Sequence, residues 1–268
     1  MDDTVNIKDL FSKDKSYVPN RNIPVCTIKE NFKLFMGSPL EEYRCKTFFT
    51  KEPETLEWIK RVFNDNETFY DIGANIGVYS LFTASLYSKM RIYGFEPYFL
   101  NYVRFRENIK LNNLSNIIPL YIGLSDKSGI ETLYVSDQRI GASGSQIGKN
   151  VDEHNQSYEP LSEEYVPTFS LDHFIETFQS PIPNHIKIDV DGIESRIICG
   201  MANTLNRPEL KSVLVEVNLD SNGYNEIVRT FYSNGFKEDK DLNSLPNHSR
   251  HRRKGTVSEQ AENVIFVR

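Results

Sequence analysis

Phe69-Tyr70-Asp71-Ile72-Gly73-Ala74-Asn75-Ile76-Gly77-Val78-Tyr79-Ser80 is the stretch on which the reading of the whole chain turns. A short apolar run ends at Asp71, breaks over Gly73, Asn75 and Gly77, and resumes with helical spacing from Val78. That is a strand, a tight turn and a helix whose N-terminal amides face whatever the turn encloses. The glycines are spaced G-x-x-x-G, not the G-x-G-x-x-G of a dinucleotide site. Asp71 at the strand end would repel a pyrophosphate. It can instead accept from a cationic amine or staple the glycine loop.

Working outward, strands and helices alternate at short intervals. Strands are expected at Thr68–Ile72, Arg91–Glu96, Ile117–Leu124, His185–Val190 and Val213–Val217, with helices at 78–88, 100–111, 171–178, 195–205 and 224–233 between and after them. This is the pattern of an α/β, Rossmann-like, doubly wound and mostly parallel sheet. Gly235-Phe236 opens a sixth strand, and Asn263–Val267 forms a hairpin with it. Glycine-bearing turns at 126–129 and 141–144 flank the alternating 130–135, so an inserted hairpin is expected, followed by an acidic surface loop over 150–164 that includes Asp152, Glu153, Glu159, Glu163 and Glu164. Ahead of the sheet lie a polar arm to about Pro24, a small β element over 25–35 and a helix begun by Pro53-Glu54. The organisation is therefore an N-terminal arm and small β/α extension over 1–53, then a domain over 54–268 with an insertion at about 125–165.

The 31 basic and 37 acidic residues leave a formal charge of −6, which argues against a protein dedicated to nucleic acid. The three cysteines, Cys26, Cys45 and Cys199, are far apart and odd in number, so neither a disulfide framework nor a zinc site is expected, and a reducing compartment fits. No apolar leader and no run of membrane-spanning length is present, so a cytoplasmic protein without membrane insertion is expected. Oligomeric state is not legible.

Glu96 follows Asp71 by 25 residues, in Gly94-Phe95-Glu96-Pro97 at the end of the next strand, where a carboxylate accepts from both hydroxyls of a ribose. An acidic strand end for an amine and a second carboxylate for a ribose suit S-adenosylmethionine. The second cluster is Asp189, Asp191 and Glu194, with His185 ahead of it. Period-two alternation puts His185, Lys187, Asp189 and Asp191 on one side of their strand. Asp189 sits where open α/β sheets bind ligands, and Asp189, Asp191 and His185 are candidates to steer or deprotonate a hydroxyl attacking a sulfonium methyl. Asp189 and Asp191 are also the residues that would ligate Mg²⁺ if a metal acts here. Glu194 reads as a helix-start carboxylate favoured by the dipole. Glu216 and Asn218 end the next strand as candidate acceptor contacts, and His173 reads as structural. The basic run 248–254 reads as a solvated loop, or as a lid over an anionic or nucleotide-linked acceptor.

The chain resembles the FkbM-type methyltransferases in Asp71-Ile-Gly-Ala-Asn-Ile-Gly77, Gly94-Phe-Glu-Pro97, Glu107-Asn108 with Leu111-Asn112, Ser125-Asp126 with Gly129, and Ile186-Lys-Ile-Asp-Val-Asp-Gly192-x-Glu194. The resemblance runs from about Glu54 onward. It implies a class I methyltransferase fold with a seven-stranded sheet whose last strand is reversed, and methyl transfer to a hydroxyl of a sugar, glycan or secondary metabolite. It also implies that Asp71, Gly73, Asn75 and Gly77 hold the methionine end, with Ala74 and Ser80 in the same turn. Glu96, beside Pro97, would hold the ribose, Asp126 the adenine edge, and Asp189 would lie near the methyl. The family usually has Glu where Asp191 stands. The competing readings are a nicotinamide-dependent enzyme, disfavoured by the glycine spacing, and a cofactor-binding protein without catalysis.

Overall fold

The computed structural model describes residues 23–29, 32–150, 157–218, 222–245 and 261–268. The arm before 23 and the basic run 248–254 lie outside them. A hairpin of β1 (Val25–Ile28) and β2 (Phe32–Phe35) leads to two helices, α1 (Pro39–Lys51) and α2 (Pro53–Val62). Helix α1 starts on a capping box: Ser38 Oγ accepts from the Glu41 amide at 3.1 Å, and Glu41 Oε2 accepts from the Gly37 amide at 2.9 Å. The front section was expected to hold one helix; α1 is a second.

The central sheet is built from β3 (Thr68–Ile72), β4 (Arg91–Phe95), β5 (Ile117–Leu120), β10 (His185–Ile188), β11 (Ser212–Asn218), β12 (Lys237–Glu238) and β13 (Ala261–Val267). Its order is β12-β13-β11-β10-β3-β4-β5. Strands β11, β10, β3, β4 and β5 are mutually parallel, whereas β13 runs antiparallel to both β11 and β12. The reversed last strand is as the resemblance implied. Chain order departs in opposite directions from β3 and β10, so the crevice at their C-terminal ends is the switch point where such sheets bind ligands.

Every residue of β3 is buried, as a strand covered on both faces requires. One face packs Trp58, Phe69, Phe82 and Phe105 with β1, β2, α2, α3 (Val78–Leu86) and α4 (Phe99–Leu111). The other packs Tyr70, Phe95, Phe174 and Phe231 under α5 (Leu171–Phe178), α6 (Glu194–Cys199), α7 (Ala202–Leu205) and α8 (Asn222–Ser233).

The insertion differs from the expected hairpin. Strands β6 (Gly123–Leu124), β7 (Gly129–Val135), β8 (Gln146–Ile147) and β9 (Ser162–Phe169) form a separate sheet of order β6-β9-β7-β8. The end of the expected acidic loop is thus strand: Glu163 and Glu164 pair opposite Tyr134 and Leu133 of β7. Exposed Glu163 and Tyr165 alternate with Glu164, Val166 and Thr168, the last two buried, a period-two signal in which Pro167 falls on the outward side. A short helix α9 (Lys240–Asn243) precedes β13. Cys26 and Cys45 are disulfide-bonded, their Cα atoms 6.7 Å apart, which corrects the expectation of unpaired cysteines. The packing of β1 on α1 brings together two cysteines whose spacing carried no pattern. No helix among the described residues is long and apolar enough to cross a membrane.

Candidate active site

The turn after β3 is held by backbone. Gly73 and Ala74 both donate to the Phe95 carbonyl, each at 3.0 Å, which closes the turn on β4. Gly73, Asn75 and Gly77 have φ of 78°, 53° and 85°, the left-handed region that favours glycine and asparagine. The glycines answer to packing as well as to curvature. A Cβ on Gly73 would lie 1.9 Å from the Asp189 carbonyl oxygen, and one on Gly77 would lie 1.9 Å from the Phe105 ring. Asp71 is buried, and its Oδ2 accepts from Ser80 Oγ at 2.6 Å. Its Oδ1 is buried with no protein partner, and burial pushes the carboxyl pKa up. An amine or water entering the turn would answer that oxygen.

Glu96 stands on the cleft wall beside Pro97. It accepts from the Asn75 amide at 2.7 Å and the Tyr98 amide at 2.8 Å. Burial pushes its pKa up to about 7, against those two amides, which hold the carboxyl in place. Ile122, Gly123, Leu124, Leu133 and Ile147 add an apolar slot to the lining of the same cleft. The cleft measures about 420 Å³.

At the floor, charged groups converge from four elements. Strand β10 stops at Ile188, and the Asp189 amide continues the ladder to the Ile72 carbonyl at 3.1 Å. The buried Lys187 ammonium pairs with Asp189 and lies 4.8 Å from the centre of the Tyr79 ring. Tyr79 Oη donates to Glu52 Oε2 at 2.8 Å, and Lys51 Nζ donates to Glu52 Oε1 at 2.5 Å. Glu216 of β11 hydrogen-bonds to Asp189. Burial alone would raise Asp189, but the Lys187 and Lys51 ammoniums hold it below the usual carboxylate range. Burial, and then the charges of Asp189 and Asp191, push Glu216 well above that range. Of the pair, Glu216 is therefore the group that binds a proton more readily and Asp189 the one that stays anionic.

Asp189, Asp191 and Glu216 bring oxygens within 4.8 Å of one another. Lys187 pairs with Asp189, the charge of Lys51 reaches it from beside Glu52, and Asp191 Oδ2 accepts from the Gly144 amide at 2.7 Å. These contacts commit oxygens of Asp189 and Asp191 that a Mg²⁺ ion, bound through one or two carboxylates and waters, would use. Asp191, at φ 60°, instead pins the inserted loop: its carbonyl also accepts from the Gln146 side chain. Asn75 and Asn101 fix that loop from the other side, both donating to the Ala142 carbonyl, at 2.6 and 3.1 Å.

The structure thus brings Gly73, Ala74, Asn75, Glu96, Pro97, Asp189 and Asp191 to one cleft, with Asp71 and Ser80 supporting the turn from behind. Two expectations need correcting. His185 lies at the other end of β10, fully buried, stacked on Phe63 at 4.0 Å and bonded to Ser212 Oγ and Glu67 Oε2, each at 2.8 Å. Alternation placed it on the same side as Asp189, but four residues of strand separate them by about 13 Å. Asp126 does not line the cleft; it accepts from Ser125 Oγ at 3.0 Å and from Arg196 Nε at 2.8 Å. Sequence reasoning missed Tyr43, Arg44 and Lys51 of α1, which line the cleft, and Glu52, which anchors its floor. Ser38-Pro39-Leu40-Glu41 was the signal for that helix, though not for where its side chains reach.

The fold is that of a class I methyltransferase, with a reversed last strand, a glycine turn after the first central strand and a carboxylate at the end of the second. Residues 71–238 match the methyltransferase FkbM domain. The chain belongs to that family. It is 28% identical over 166 residues to the hexuronic acid methyltransferase AglP of Haloferax volcanii, a match covering 62% of each protein. It is 26% identical to Methyltransferase 1 of Beauveria bassiana, covering 52% of this chain and 60% of that one. The matched stretch is therefore less than two thirds of either relative. The FkbM methyltransferase structure from Methylobacillus flagellatus superposes with a TM-score of 0.51 at 13% identity, over 85% of this chain and 52% of that one, a likeness of fold.

Proposed function

We propose that this protein transfers a methyl group from S-adenosylmethionine to a hydroxyl on a sugar, glycan or related metabolite. The observation that carries the reading is that the Glu96-anchored turn and the Asp189–Glu216 pair open into one cleft. The bound cofactor would supply an electrophilic methyl for in-line displacement. Glu96, held by two amides, would receive the ribose hydroxyls, the apolar slot of the same cleft the adenine, and Asp71 with the Gly73–Asn75 turn the methionine end. Asp189, kept anionic by Lys187, would accept the hydrogen bond of the incoming hydroxyl and aim its lone pair. Glu216 would take the proton once its own has been lost to solvent. The hexuronic acid substrate in the name of the archaeal relative supports a sugar acceptor.

The test is transfer of labelled methyl to a panel of neutral and acidic sugars. The wild-type protein should label at least one, and Asp189→Asn should lower its rate by about 100-fold or more, in the range for a positioned acid–base group. Cofactor binding without any labelled product would favour the non-catalytic reading, and binding of a nicotinamide cofactor in its place would favour the dehydrogenase.

A further inference from the structure

Three cations line the cleft, and they are not equivalent. Lys187 is paired with Asp189, and Lys51 with Glu52. Arg44 makes no salt bridge to a carboxylate among the described residues, although its charge reaches Glu96 and acts to lower that carboxyl's pKa. Its Nε donates to the Gly141 carbonyl at 2.9 Å, which sets the plane of the guanidinium. That carbonyl is itself immobile: the Gly141 amide donates to Asn101 Oδ1 at 2.8 Å, and the Ile140 carbonyl accepts from Ser38 Oγ at 2.7 Å. With Nε engaged, the two terminal nitrogens of this cleft-lining side chain remain as a fork, the arrangement that planar oxyanions take in bidentate fashion. Tyr43, half-exposed on the same helix, adds an aromatic surface at the mouth.

Helix α1 ends before residue 71, where the family match begins. The cofactor turn lies inside that shared segment and Arg44 outside it. A residue from outside the shared segment suits whatever differs among members, which is the acceptor.

We propose that Arg44 is the acceptor-recognition residue of this cleft and that it binds a carboxylate, so the acceptor is an acidic sugar and not a neutral one. This rests on the methyl-transfer reading above. The cofactor also carries a carboxylate, balanced by its own amine, and the experiment separates the two sources.

Protein saturated with S-adenosylhomocysteine is titrated calorimetrically with methyl β-D-glucopyranosiduronic acid and, separately, with methyl β-D-glucopyranoside. The wild type should bind the uronide about tenfold or more tightly than the glucoside, the size of one charge-assisted bidentate contact. Arg44→Gln should reduce that preference to less than about twofold, and Arg44→Lys, which keeps charge without the fork, should fall between. Affinity for S-adenosylhomocysteine should stay within about twofold in both variants, which also reports an intact fold. Equal binding of the two sugars, no binding of the uronide by the wild type, or a preference that survives Arg44→Gln would overturn the assignment. Loss of S-adenosylhomocysteine affinity in Arg44→Gln would also overturn it, by giving Arg44 to the cofactor carboxylate. Failure of the wild type to bind S-adenosylhomocysteine defeats the cofactor reading and this assignment with it.

Discussion

At the scale of single residues, the Asp189–Glu216 pair makes a pH-dependent claim. Burial and two neighbouring acids raise the Glu216 pKa. A base with a raised pKa works only above that pKa, so the methyl-transfer rate should climb as pH rises through it and level off beyond. Glu216→Gln should abolish that limb and lower the plateau by about 100-fold, read from initial rates across pH at saturating cofactor. A limb unchanged in the variant assigns the base elsewhere. Residues also differ in how far the sequence reveals them. Asp71 and Glu96 were legible because each ends a strand whose apolar run is easy to see and whose end faces the crevice. His185 misled for a physical reason: period two fixes the side of a strand on which a residue lies but not the end of it. Gly77 was legible as a turn glycine, whereas its contact with the Phe105 ring needs the packing of α4 on the sheet. Lys187 sits in the quoted motif, yet only three dimensions show its ammonium clamped between Asp189 and the Tyr79 ring.

At the scale of elements, α1 is where sequence and structure part most. It carries Arg44 and Lys51, seven residues apart and so on one face, into a cleft otherwise built from the sheet. Its capping box can be read from Ser38 and Glu41, but its docking depends on contacts across the chain that no local pattern encodes. The Cys26–Cys45 bond fastens β1 to this helix across 19 residues of sequence separation. Closing a loop of that length stabilises by about 3 kcal/mol when the unfolded state is the one constrained. Cys45→Ser should therefore lose about that much in urea unfolding under oxidising conditions and nothing under reducing ones, where the wild type falls to the same value. Equal stability of oxidised wild type and variant would show that the bond contributes nothing. Strand β9 was misread for a different reason. It opens on Ser162, Glu163 and Glu164, so its start resembles the polar loop before it, and its partner β7 is nearly 30 residues away.

At the scale of the whole molecule, the order β12-β13-β11-β10-β3-β4-β5 places the acidic turn, Glu96 and Asp189 on adjacent strands at one crevice. The alternation of strands and helices made this architecture legible, because parallel strands joined by helices admit few connections. The side of the cleft proposed for the acceptor was not legible, since it is assembled from the front helix and an insertion whose loop is held by Asn75, Asn101 and Asp191. The central claim is that this crevice holds S-adenosylmethionine with Glu96 on its ribose. Calorimetric titration of the cofactor into the wild type and Glu96→Ala tests it directly. One equivalent should bind to the wild type, and the variant should bind about tenfold or more weakly, since a charged hydrogen-bond acceptor is lost. Absence of binding to the wild type, or undiminished affinity in a folded Glu96→Ala, would contradict it.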